Sequence, residues 1–219
     1  MLFHTRRASR QLSRPGVILY APTYRDGQEN TALFPFSDTD VDALSALLRA
    51  HDFRLVIRRH VLEKHVASRI VSDVILHDDR DDLQNGLAGK LCAADILVTD
   101  YSSIYLDYLA LDRPIVFLPY DKNAYEKKRG LMYDYDTVTP GMKAYSFSQF
   151  LAALREYMTN PDTDGAARRD AARFFHAHQD GNACQRILTR AVDEFGRVKT
   201  AERTFESAVA KRERQLWRS

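Results

Sequence analysis

Cysteine is scarce in this sequence: there are two in 219 residues, Cys92 and Cys184. They lie far apart and match no metal-ligand or disulfide spacing. That argues against a zinc module or a disulfide-stapled scaffold and points to a reducing, cytosolic compartment. No apolar run approaches the ~20 residues needed to span a bilayer. The N-terminus is basic, but no apolar core follows it, so it does not read as a signal peptide. Internal repeats and low-complexity tracts are missing. So are the lysine-bearing phosphate loop and the Gly-x-Gly-x-x-Gly turn, which argues against a P-loop NTPase and a typical NAD-binding module. An excess of one charge is also missing, with 32 basic against 30 acidic residues. Bulk charge therefore gives no sign of a nucleic-acid partner.

What is present is a chain that is 45% hydrophobic, enough to bury a sizeable core in one domain with appendages. Residues 1–16 read as a basic lead-in carrying Arg6, Arg7, Arg10 and Arg14. Residues 17–196 read as the folded domain and 197–219 as a basic C-terminal helix. Basic ends of this kind suit an anionic membrane surface, although charged ends are commonly just solvated.

Short apolar runs alternate with helical patterns. Strands are expected at 17–20, 53–58, 74–76, 96–98 and 115–118. A helix start at Ser37–Asp40 is followed by Val41, Leu44, Leu47 and Leu48 on one face. Helices are expected over about 82–92, from Ser102–Ser103 to Leu111, and over 147–158, 165–178 and 182–195. Residues 119–130 read as a loop and 131–141 as irregular. The alternation predicts an α/β fold: a mostly parallel sheet with helices on both faces.

The most informative stretch runs from Ala94 to Tyr108. An apolar strand ends at Thr99-Asp100, and Ser102-Ser103 then opens a helix. Unpaired N–H groups at such a start, with about half a positive charge, can hold a phosphate. The same serines, or Asp100, also serve as ordinary N-caps. Asp100 and Asp107 add negative charge that a cation, a sugar hydroxyl or a cap must explain. The next strand, after Arg113-Pro114, completes a βαβ unit, whose ligands lie at the carboxyl ends of strands. Two further strand ends qualify. Thr23 and Arg25 follow the first strand in a segment that equally reads as a plain turn. Arg58-Arg59-His60 ends the second, where a histidine can move a proton or donate to a phosphate.

Taken in order, Tyr20–Asp26, Arg58-Arg59-His60, Val98–Ser103, Arg113-Pro114-Ile115, Tyr120-Asp121, Tyr125, Arg129-Gly130, Asp134-Tyr135, Pro140-Gly141 and Asp180–Ala183 with Arg186 form a specific set. The set resembles the CDP-glycerol glycerophosphotransferases, which make teichoic-acid and capsule polymers, over about residues 17–190. The resemblance implies a Rossmann-like domain, the C-terminal, nucleotide-binding half of a GT-B fold. The family's other half, with its own catalytic histidine, has no counterpart in this sequence. Where the family usually shows lysine, an apolar residue, histidine and proline, this chain has Arg58-Arg59-His60-Val61.

By resemblance, Ser102 and Ser103 would hold the donor pyrophosphate, with His60 and Arg58 facing the same phosphates. Asp100, Asp107 and Arg113 would shape the pocket, and Thr23 and Arg25 would line the cleft. The implied reaction moves glycerol phosphate from CDP-glycerol, or a related CDP-polyol, to a hydroxyl of a lipid-linked or polymer acceptor, releasing CMP. It calls for no cofactor, because amides and cations can carry the charge stabilisation. A cytoplasmic place, peripheral at the inner face of the membrane, would suit such an acceptor. Two other readings stay open: a non-catalytic nucleotide-binding module, and the donor half of another GT-B glycosyltransferase.

Overall fold

The computed structural model describes residues 14–23, 25, 33–58, 70, 72–78, 86–197 and 199. Six strands form one parallel sheet: β1 (Gly16–Tyr20), β2 (Phe53–Arg58), β3 (Ile75–Asp78), β4 (Ile96–Thr99), β5 (Ile115–Phe117) and β6 (Met142–Lys143). Their order is β3-β2-β1-β4-β5-β6. Both faces of β1, β4 and β5 are buried, which is why their sequences are unbroken apolar runs rather than alternating ones.

The pleat divides those runs between two cores. Ile18, Tyr20, Ile96, Val98, Val116 and Leu118 face a cluster built with Leu44 and Leu48 of α1 (Val41–Ala50) and Phe147, Phe150 and Leu154 of α6 (Phe147–Thr159). Leu19, Leu97, Ile115 and Phe117 face the other way. There they meet Leu91 of α2 (Gly86–Ala93), Ile104, Tyr105 and Tyr108 of α3 (Ile104–Leu109) and Ala172 of α7 (Gly165–Phe175). Each fully buried Leu or Phe stabilises by about 1.5–3 kcal/mol, so the two cores, not helix propensity, hold the sheet. The expected Rossmann-like α/β architecture is therefore the one observed.

Helix starts follow their caps. Asp40 accepts from the Ala43 amide and opens α1 at 2.8 Å. Ser146 does the same for α6 through the Gln149 amide at 3.2 Å, and the Gln149 side chain answers by accepting from the Tyr145 amide at 2.8 Å. Asp38, inside the predicted start of α1, instead accepts from the amides of Phe147 and Ser148 and ties the two helices together.

Two segments differ from expectation. Residues 119–130 are not a loop: α4 (Lys122–Arg129) runs through them without a single buried side chain. Residues 131–141 contain one helical turn, α5 (Tyr135–Val138), and end at the unpredicted edge strand β6. Gly141 makes β6 possible, since an added Cβ would lie 2.1 Å from the Ile115 carbonyl oxygen.

The described residues up to Ala177 belong to one compact unit and those from His178 onward to a second. In the second unit Asp180 accepts from the Asn182 amide and pairs with Arg186 at 2.8 Å, at the start of a helix over 183–197. Those contacts hold the Asp180 carboxyl down at about 2. Among the described residues, no helix is long and apolar enough to cross a membrane.

Candidate functional site

The order of strands locates the site. From β1 the chain winds outward to β2 and β3, then crosses back to β4 on the other side of β1. The crevice beyond the carboxyl ends of β1 and β4 is thus the point where the winding reverses, the usual ligand position in an open α/β sheet. Thr23 and Arg25 leave β1 there, and Asp100 to Ser103 leave β4.

Asp100 is fully buried and organises the crevice. One carboxylate oxygen accepts from the Thr23 amide at 2.9 Å, from the Thr23 hydroxyl, and from the Tyr101 amide at 2.7 Å. The other accepts from Arg25 Nη2 at 2.9 Å. The loop after β1 is thereby fastened to the turn after β4. The Tyr135 hydroxyl donates to the Asp100 carbonyl at 2.9 Å from below.

Arg25 is 8% exposed and lies between two carboxylates. Besides Asp100, its Nε and Nη2 donate to Asp121 at 2.9 and 3.1 Å. Nη1 donates to the Thr23 carbonyl at 2.7 Å, and Nη2 also meets the Tyr120 hydroxyl at 3.0 Å. The rings of Tyr101, Tyr120 and Tyr125 surround the guanidinium at 5.1, 5.3 and 5.2 Å. Burial pulls its pKa down, but the hydrogen bonds to Asp121 and the charge of Asp100 outweigh that and leave it raised. Tyr101 is pushed up by burial and by the bond from its hydroxyl to Asp121, 2.9 Å long.

The serines are less engaged. Ser102 Oγ accepts from the Ile104 amide at 3.4 Å, a long contact. Ser103 stands at the N-cap of α3, is exposed, and its side chain makes no capping bond. Ordinary capping therefore does not account for Ser103. At the neighbouring strand end, Arg58 is the half-buried last residue of β2.

Other predicted residues stand apart from this cluster. Asp107 is exposed on α3, one turn beyond Ser103. Arg113 does not reach the crevice. Its Nη1 donates to the carbonyls of Cys92 and Ala94 at 2.7 and 2.5 Å, at the amino ends of β4 and β5. The physical reason is its position: it precedes β5, so the sheet places it at the opposite end from Asp100. His60 lies outside the described residues. Conversely, Asp121, Tyr101 and Tyr125 are central to the cluster. The aromatics and cations of residues 119–130 suit a base and a pyrophosphate, or ordinary surface, and all three residues stand in the ordered motif set, but nothing in the sequence joins them to Arg25.

Comparison with known proteins identifies the family. The model of the family described as CDP-Glycerol:Poly(glycerophosphate) glycerophosphotransferase matches residues 5–193. A teichoic acid glycerol-phosphate primase of Bacillus spizizenii is 32% identical over 177 residues, covering 79% of this chain and 42% of the relative. A teichoic acid glycerol-phosphate transferase of Staphylococcus aureus is 33% identical over 180 residues, covering 78% and 43%. The chain thus spans less than half the length of these relatives. Among solved structures, a variant of the wall teichoic acid polymerase TagF soaked with CDPG is 27% identical. It superposes with a TM-score of 0.60, over 83% of this chain and 45% of that one. The ordered motifs, the parallel sheet and these matches together place the chain in the CDP-glycerol:poly(glycerophosphate) glycerophosphotransferase family.

Proposed function

We propose that this chain is the donor-binding half of a glycerophosphotransferase that takes glycerol phosphate from CDP-glycerol, or a related CDP-polyol. The observation that carries the reading is the Ser102-Ser103 turn at the winding reversal, with a Ser103 hydroxyl that caps nothing, in a chain of this family. The serine hydroxyls and nearby amides would donate to the pyrophosphate. Arg58 would add charge from the β2 end. His60 takes a phosphate contact first and proton transfer second, by resemblance.

In the transfer, an acceptor hydroxyl attacks the glycerol-bearing phosphorus, the bridging P–O bond to CMP breaks, and CMP leaves. The hydroxyl proton passes to a base. Charge accumulates on the equatorial oxygens, so positioning and preorganised donors do the catalytic work. The acceptor would be lipid-linked or polymeric, and the protein cytoplasmic and peripheral at the inner membrane face. The chain covers 42% of the primase, so a second reading is a nucleotide-binding module without turnover of its own.

CMP release by an active preparation tests the proposal. Ser103→Ala and His60→Ala are expected to slow it at least tenfold, and unchanged release by both would refute it. Turnover of CDP-glycerol by the purified chain alone would rule out the second reading.

A further inference from the structure

We infer that Arg25 is a positioning residue rather than a ligand of the donor, and that Asp121 and Tyr125 act with it to fix α4 against the Ser102-Ser103 turn. The inference rests on the donor site proposed above and adds how its geometry is set.

Three observations lead to it. First, Arg25 lies between Asp100 and Asp121, at 2.9 Å from each. Two carboxylates against one guanidinium leave the cluster with a net negative charge. A phosphate reaching for Arg25 would meet that charge and would have to displace a paired carboxylate. Arg25 is therefore already occupied.

Second, Asp121 occupies the N-cap position of α4 yet makes no capping bond. An aspartate there ordinarily stabilises a helix by accepting from its first free amides. Its oxygens are turned instead to Arg25 and to the Tyr101 hydroxyl. The helix forgoes a cap so that its N-cap residue can hold the crevice together.

Third, α4 has no buried residue to fasten it. Packing of an apolar face, which normally holds a helix in place, is missing. Among its tethers are the Asp121 bonds, the Lys122–Asp136 pair at 2.6 Å, and the Tyr125 ring. That ring stacks on Tyr101 with centroids 4.2 Å apart and lies 5.2 Å from the Arg25 guanidinium. Tyr101 immediately precedes Ser102. A planar cation, a carboxylate and two stacked rings thus set the distance between α4 and the serine turn. A lysine cannot replace the planar fork that bonds two carboxylates while lying among aromatic rings.

Calorimetric titration of CDP-glycerol into the purified chain tests this. Asp121→Asn and Tyr125→Ala are each expected to weaken donor binding about tenfold, roughly one decade in Kd. Tyr125→Phe, which keeps the ring, is expected to restore wild-type affinity. Methylguanidinium is expected to rescue donor binding by Arg25→Ala and raise its melting temperature, whereas methylammonium at the same concentration does neither. Rescue by both cations would mean that Arg25 supplies plain positive charge to the donor, and would overturn the inference. Wild-type affinity in both Asp121→Asn and Tyr125→Ala would overturn it as well. These variants keep the test decisive if Arg25→Ala does not fold. A wild-type chain that binds no donor would instead refute the proposed function, and this inference with it.

Discussion

Replacing Asp100 with asparagine is a small change whose cost can be worked from the structure. Asp100 is fully buried and accepts from the Thr23 amide and hydroxyl, the Tyr101 amide and Arg25. An asparagine amide has one oxygen and one NH2. If the oxygen takes the side facing Thr23 and Tyr101, the NH2 points at the Arg25 guanidinium, donor against donor. If the amide flips, the NH2 meets the two Thr23 donors and the Tyr101 amide instead. The first arrangement is the cheaper. It forfeits one charge-assisted bond, about 1.5–3 kcal/mol, and adds a donor–donor contact. Complete loss of a buried charge partner would cost about 3–5 kcal/mol, but Arg25 keeps Asp121, so the total falls below the top of that range. We expect about 3 kcal/mol. Urea unfolding followed by far-ultraviolet circular dichroism would show it as a midpoint lowered by about 1.5 M, for a slope near 2 kcal/mol/M. Asp107→Asn, on the exposed face of α3, is the control and should unfold like wild type. A loss below about 1 kcal/mol for Asp100→Asn would refute the account of the buried network.

Three further outcomes follow from the fold. Burial raises the phenols of Tyr20, Tyr101, Tyr105, Tyr108, Tyr120, Tyr135 and Tyr157, with Tyr105 pushed up to about 12. Each folded value exceeds the unfolded value near 10, so this stability is complete below about pH 10 and is lost as pH rises through the folded values. Tyrosinate absorbance should therefore appear in two stages, exposed rings first and buried rings only with unfolding; a single smooth titration would contradict it. Gly141→Ala should cost about 1–3 kcal/mol or detach β6, because the new Cβ would meet backbone at Ile115 rather than a side chain that can move. Hydrogen exchange at the Ala144 amide, bonded to the Phe117 carbonyl at 2.8 Å, would report it. Arg113→Ala should lower stability by about 1–2 kcal/mol through its two carbonyl bonds while leaving CDP-glycerol affinity unchanged, as read by thermal melts and calorimetry side by side.

The strands were readable because β1, β4 and β5 are buried on both faces and their sequences are correspondingly apolar. The crevice residues Thr23, Arg25, Asp100, Ser102 and Ser103 were readable because each directly follows a strand. The helix α4 was not, because periodic apolar spacing is the signal for a helix and Lys122–Arg129 buries nothing. What holds it, a carboxylate turned inward and a stacked ring, depends on partners nearly a hundred residues away, as Asp121 and Arg25 show. Arg113, placed in the pocket by resemblance, instead precedes β5, and a parallel strand sends its two ends to opposite edges of the sheet. The edge strand β6 is two residues long and exists through a backbone approach at Gly141, which leaves no pattern in neighbouring side chains. The dual role of Ser37–Asp40 shows the same limit: Asp40 caps its own helix, whereas Asp38 serves a helix start 109 residues away.

The most direct measurement is calorimetric binding of CDP-glycerol, CDP and UDP to the purified chain, repeated with Ser103→Ala. The account predicts cytidine-selective binding that weakens when the Ser103 hydroxyl is removed. Equal affinity for UDP, or donor binding indifferent to Ser103→Ala, would contradict it.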